Sequence, residues 1–136
     1  VKYLLDTNVL SEIRKKRAHR GVQQWFSSVH GDDLFLSVLV IGEIKRGILM
    51  LRRRDEKQAD GYENWLWQLS NHYADRLLPV TVEVAEMWAT LNVPDPVPVI
   101  DGLMAATARV HDLTLVTRNT ADLERTGVRL LNPWEA

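Results

Sequence analysis

The chain has 136 residues, 46% of them apolar, and carries 17 Lys and Arg against 18 Asp and Glu. A chain of this size fits one domain over residues 1–136 whose core needs no staples, and the near balance of charge gives no global attraction to nucleic acid or membrane. The absence of cysteine excludes disulfide frameworks, thiolate metal sites and thiol nucleophiles.

The first apolar run, Val1-Lys2-Tyr3-Leu4-Leu5, predicts a strand over residues 2–5 and ends on Asp6. An acid at position 6 does not suit a signal peptide, and no stretch approaches the roughly 18 to 20 apolar residues of a membrane span, so the expected compartment is the cytoplasm. Basic residues then cluster at Arg14-Lys15-Lys16-Arg17. Such a cluster suits phosphate contacts, or equally a solvated helix end favoured by the macrodipole. A second strand is predicted over 34–37, and from Val38 to Ala74 the pattern is helical, with Ile41, Ile44, Ile48 and Leu51 on one face. A break over 54–61, beside the second basic cluster Arg52-Arg53-Arg54, makes this stretch a helical hairpin in which Gly47 permits close helix approach.

A third strand is predicted over 77–80. Pro94-Asp95-Pro96-Val97-Pro98 cannot be helical throughout, because each proline lacks an amide proton and biases its predecessor to extended backbone. It is a stiff connector aimed at Asp101, which ends the run Pro98-Val99-Ile100. Leu103, Thr107 and Val110 give the period of a further helix, and strands over 113–117 and 128–131 close the pattern. Strands alternating with helices imply an α/β fold with a parallel sheet covered on both faces.

In open parallel sheets, ligands gather outside the carboxyl ends of the strands, where the strand order reverses. Asp6 follows the first strand, Glu43 lies one to two turns into the helix after the second, Asp101 opens a helix, and Asn119 and Asp122 follow the strand ending at Thr117. Four connections thus deliver oxygen ligands to one region. Clustered carboxylates repel one another unless a cation neutralises them. An oxygen-only set without His or Cys suits Mg²⁺ or Mn²⁺ and points to phosphodiester chemistry.

The segments Leu5-Asp6-Thr7-Asn8-Val9-Leu10-Ser11-Glu12, Gly42-Glu43 with Gly47, Ile100-Asp101-Gly102-Leu103-Met104-Ala105-Ala106-Thr107-Ala108, and Val116-Thr117-Arg118-Asn119 with Asp122 resemble the PIN-domain toxins of bacterial VapBC pairs. The likeness spans the chain, and Asn132-Pro133-Trp134 is similar to the ending of the FitB-like branch. It implies a PIN-like three-layer α/β/α sandwich with about five parallel strands. It also implies a Mg²⁺-dependent endoribonuclease toxin, with Mn²⁺ as substitute, that cleaves structured RNA such as tRNA or rRNA. Asp6, Glu43 and Asp101 would be its catalytic metal-site acids, with Asp122 as the fourth. Asn119 departs from relatives that carry an acid there. Thr7, Asn8, Thr117 and Asn119 would hydrogen-bond the carboxylates, coordinated water or substrate. Arg14, Lys15, Arg46, Arg109 and Arg118 are candidates for RNA phosphate contacts or for solvated, ion-paired roles. The implied partners are a cognate VapB-type antitoxin, which lays a helix across an apolar groove, and a second copy of the chain in a homodimer, with higher assembly in the antitoxin complex.

Blander readings compete at each position. Asp6 suits a helix N-cap, Asp101 a first-turn acid against the macrodipole, and Asp122 an exposed acid in a short helix. Glu43 is harder to excuse, because it interrupts the apolar stretch from Val38 to Ile44. Trp65 and Trp67 read as core or interface residues, and His19, His30, His72 and His111 lie singly near helix ends. An aspartyl phosphatase fails because Asn8 stands where a second Asp is needed, and a receiver domain fails because no Lys follows the strand at 113–117. A catalytically weak binding module acting through its antitoxin complex in promoter autoregulation is the remaining rival.

Overall fold

Tyr3–Leu5 form β1, and Leu4 and Leu5 are fully buried in the centre of a five-stranded sheet. The computed structural model describes residues 1–136. In chain order follow α1 (Thr7–Arg14), α2 (Arg20–Ser28), β2 (Leu34–Ser37), α3 (Val38–Arg52), α4 (Glu56–His72), β3 (Leu77–Leu78), α5 (Val82–Leu91), α6 (Val99–Val110), β4 (Thr114–Val116) and β5 (Leu130–Leu131). Every strand pairing is parallel and the order is β3-β2-β1-β4-β5. The expected α/β/α sandwich and all five strands are present; β2 keeps its predicted bounds, and β1, β3, β4 and β5 are each shorter than predicted.

The chain builds the sheet outward from β1 to β2 and β3, then crosses back to place β4 on the other side of β1. The loops after β1 and β4 therefore diverge at the point where the strand order reverses, the place where such sheets bind ligands. Burial follows the same logic: Leu4, Leu5, Leu36, Leu115 and Val116 are sealed between helical layers, as strands covered on both faces require.

The helical hairpin is real but its break is narrower than expected. Helix α3 ends at Arg52 and α4 begins at Glu56, because Asp55 caps the new helix by accepting from the Gln58 amide at 3.0 Å. Lys45 pairs with Glu63 and Arg52 with Asp60 across the hairpin, so charge that reads as a break serves to tie the two helices. Gly47 also differs from expectation: a Cβ there would meet nothing within 4 Å, so it leaves space rather than permitting close packing. In α6 the buried face is broader than Leu103, Thr107 and Val110, since Met104, Ala105, Ala106 and Ala108 are buried between the sheet and α5.

Gly102 carries the close approach. A Cβ there would lie 2.7 Å from Val97 Cγ2 and 3.2 Å from Cδ1 and Nε1 of Trp88. Val97 is buried and stiff at χ1, so it cannot swing aside freely. Gly102→Ala is expected to cost about 1–3 kcal/mol as an overpacked core does, read as a lower urea midpoint. A loss under about 0.5 kcal/mol would show that α5 and the Pro connector yield.

Candidate active site

Asp6 is the first residue past β1, and its buried carboxylate does two jobs. Oδ1 accepts from the Thr7 amide at 2.7 Å and caps α1, while Oδ2 accepts from the Thr117 hydroxyl at 2.7 Å and from Asn8 Nδ2 at 3.2 Å. The cap and the candidate ligand are one side chain, locked between the β1 and β4 loops. Thr117 in turn accepts from the Asn119 amide at 3.1 Å.

Glu43 is the sixth residue of α3 and is exposed. The start of this helix is buried only along Val40 and Ile44, so packing does not exclude an acid at 43, contrary to the expectation from the apolar run. Its distinguishing contact is with Thr7, whose hydroxyl donates to Oε1 at 2.7 Å. Asp101, in the first turn of α6, has Oδ2 accepting from Asn119 Nδ2 at 3.0 Å. Burial pushes its carboxyl above the usual carboxylate range, and the charge of Asp6 pushes it further. The Asn119 amide opposes the rise, while the charges of Glu43 and Asp122 add to it.

Asp6, Glu43 and Asp101 line one cavity of about 460 Å³, with Thr7 and Asn8 between them. Asp122 does not line it. It sits exposed in a turn ahead of a single 3₁₀ turn at Glu124–Thr126, not in a short helix, and reaches the site only through its charge on Asp101. As the side chains stand, no three acidic or imidazole groups converge tightly enough to enclose an ion. The donor set nevertheless fits a hard cation that keeps part of its water shell: oxygen ligands only, accumulated negative charge, and one carboxyl whose ionisation its neighbours oppose.

Of the candidate cations, Lys15 and Arg118 line the cavity. Arg14 instead lays its guanidinium 3.8 Å from the Tyr62 ring centre and 5.4 Å from that of Trp65, and Arg46 is exposed on α3 outside the cavity. Arg109 lies at the far end of α6, about 12 Å along the helix from Asp101, and donates to the Thr126 carbonyl at 3.2 Å. Sequence reasoning missed three lining residues, Ser11, Glu12 and Trp134. The first two were accessible in principle, since they follow Thr7 and Asn8 by one helical turn on the same face. Glu12 is committed elsewhere: its carboxylate accepts from the His19 amide at 2.9 Å and from Lys15 Nζ at 3.0 Å. These contacts, the His19 amide foremost, hold it below the usual carboxylate range. No spacing signals Trp134.

A second cavity of about 340 Å³ adjoins the first and shares Thr7, Ser11 and Glu43 with it. Its wall is largely apolar, from Ile44, Ile48 and Leu51 of α3 and Tyr62 and Trp65 of α4. Trp65 is half-buried there, whereas Trp67 is 67% exposed.

Residues 3–128 match the model of the PIN domain. The chain is 31% identical to Toxin FitB of Neisseria gonorrhoeae (strain ATCC 700825 / FA 1090) over 136 residues, covering 96% of this chain and 97% of that one. It is 30% identical to VapC ribonuclease Y4jK of Sinorhizobium fredii (strain NBRC 101917 / NGR234) over 138 residues, with 97% of each covered. The fold superposes with a TM-score of 0.88 on a solved structure of FitAB bound to the IR36 DNA fragment, at 30% identity and covering 97% of this chain and 95% of that one.

Proposed function

The chain belongs to the PIN-domain family, among its VapC-type, FitB-like toxins, and from that premise we propose that it is a metal-dependent endoribonuclease whose residues 1–136 form one PIN domain. The observation that carries this reading is the convergence of Asp6, Glu43 and Asp101, from three separate connections, on one cavity. These three acids would hold Mg²⁺, or Mn²⁺ in its place, with Asp122 contributing charge from the rim. Bound there, the cation supplies Lewis-acid chemistry: it polarises a phosphoryl oxygen and lowers the pKa of water.

The residues themselves hold the geometry. Thr117 and Asn8 fix the Asp6 carboxylate, Thr7 orients Glu43, and the Asn119 amide orients Asp101. Lys15 and Arg118 stand on the same cavity where backbone phosphates of a structured RNA, such as tRNA or rRNA, would pass. Water adds to phosphorus, the bond to the 3′ oxygen breaks, and that oxygen takes a proton, leaving a 5′-phosphate and a 3′-hydroxyl.

The protein pairs with a cognate VapB-type antitoxin. The apolar groove between α3 and α4 is the place for an antitoxin helix, because it opens onto Glu43 and would let a basic side chain reach the acids. A homodimer, with higher assembly in the antitoxin complex, suits the exposed apolar side chains of Leu49, Met50 and Trp67.

The test is incubation of the purified protein with total RNA in Mg²⁺, Mn²⁺ or chelator, followed by mapping of new 5′-phosphate ends. Cleavage with either metal and none with chelator is the expected result. The likeness to FitAB on DNA favours a second reading, a weakly catalytic module acting through the antitoxin complex at its promoter. A folded protein that cleaves nothing, and melts alike in chelator, Mg²⁺ and Mn²⁺, would establish that alternative.

A further inference from the structure

The cavity lined by the three acids is also lined by Lys15, Arg118 and Trp134. We propose that Arg118, backed by Trp134, is a stacking platform for an unpaired nucleobase of the RNA beside the scissile phosphate, an inference that rests on the ribonuclease reading above and deepens it.

The two cations are unlike. Lys15 is neutralised by Glu12 at 3.0 Å, whereas Arg118 lies over the indole of Trp134, its guanidinium carbon 5.1 Å from the ring centre. Arg118 is exposed, so a guanidinium over an aromatic ring keeps a face open to a ligand, and guanidinium planes and aromatic rings are the surfaces on which unstacked bases settle. Stacking needs no particular base edge, so it suits a single-stranded nucleotide better than a paired one.

The platform is built rather than incidental. Parallel pairing of Val116 with Leu131 carries the chain after β5 alongside the loop after β4, which sets Trp134 next to Arg118. The Trp134 amide donates to Asn132 Oδ1 at 2.9 Å, and the buried Pro133 lies so close to α2 that a Cβ on Gly21 would stand 2.9 Å from its carbonyl oxygen. Arg118 is tied to the reacting end: its amide donates to Asn8 Oδ1 at 3.4 Å, and Asn8 donates to Asp6.

The experiment is steady-state cleavage of a short unpaired oligoribonucleotide, with abasic residues substituted in turn on each side of the cut. The wild type is compared with Arg118→Ala, Trp134→Leu and Trp134→Phe. Loss of one stacked base corresponds to about tenfold weaker binding, so Arg118→Ala and Trp134→Leu are expected to raise KM about tenfold with little change in kcat. Both should also lose the preference for a base over an abasic residue at one position, and Trp134→Phe should restore it. If Trp134→Leu fails to fold, Arg118→Ala decides alone, since it leaves the indole packing in place. Wild-type KM and base preference in a folded Arg118→Ala protein would overturn the platform while the wild type's cleavage keeps the ribonuclease reading. Weakened antitoxin binding with an unchanged KM for RNA would likewise overturn it, assigning these residues to the protein partner. A wild type that cleaves no RNA sinks both.

Discussion

Asp101→Asn is expected to lower RNA cleavage by about 10³-fold while the metal-free protein melts at or above the wild-type temperature. The first half follows from the removal of one of three carboxylates facing the cavity, since a cation that stabilises transition-state charge by several kcal/mol accounts for roughly that factor. The second half follows from the sign of the perturbation. The carboxyl of Asp101 is held above its ordinary range by burial and then by Asp6, so its ionisation opposes folding once pH rises through the unfolded-state value. An amide carries no such cost, and its oxygen can still accept from Asn119 Nδ2.

Asp6 is the less clean choice, because its Oδ2 accepts from both Thr117 and Asn8. An amide nitrogen placed there would oppose those donors and confuse loss of charge with loss of structure. The companion measurement on Asp101→Asn is melting in Mg²⁺ against chelator. The wild type should gain about 2.7 kcal/mol at a metal concentration a hundredfold above Kd, and the variant much less. Full cleavage by Asp101→Asn would remove it from the metal-site acids.

How much of this was readable beforehand depends on whether a feature is local. The run ending at Asp6 predicted a strand and an acid at its mouth, and both are present, because a few consecutive apolar residues encode the strand and the next one encodes the stop. Glu43 was readable as an exception to an apolar stretch, although the reason given was wrong: α3 is buried along one face only, and position 43 lies off it. The Asn119 contact with Asp101 was not readable. It joins residues 18 apart through the packing of α6 against β4, and no periodicity encodes a side-chain meeting of that kind. Trp134 was hidden for the same reason, since only the parallel placement of β5 beside β4 brings it to the cavity. Asp122 stands apart from the other three acids. The family likeness implied a fourth metal-site acid there; the turn that carries it lies outside the cavity, and its charge is felt at Asp101.

Leu5→Ala is expected to cost about 3–4 kcal/mol of stability and to lower cleavage even at temperatures where the variant is fully folded. Leu5 is completely buried and pairs with Val116 across β1 and β4. Deleting its side chain leaves a cavity in a layer sealed on both sides, where neighbours can collapse only partly, so the penalty includes a cavity cost beyond the lost transfer energy. The functional effect comes from position. Asp6 follows directly, and its amide donates to the Val116 carbonyl at 3.0 Å, so a β1 that settles into the void takes the Asp6 carboxylate away from Thr117. Leu69→Ala in α4 is the control: Leu69 is also buried, but it lies off the acid-lined cavity. It should lose comparable stability and keep kcat. Leu5→Met, which nearly conserves volume, should cost less than about 1.5 kcal/mol and preserve cleavage. Urea denaturation and single-turnover cleavage of the same preparations separate the two effects. Equal kcat for Leu5→Ala and Leu69→Ala would mean that the hydrogen bonds of the β4 loop, rather than the packing of β1, hold Asp6 in place.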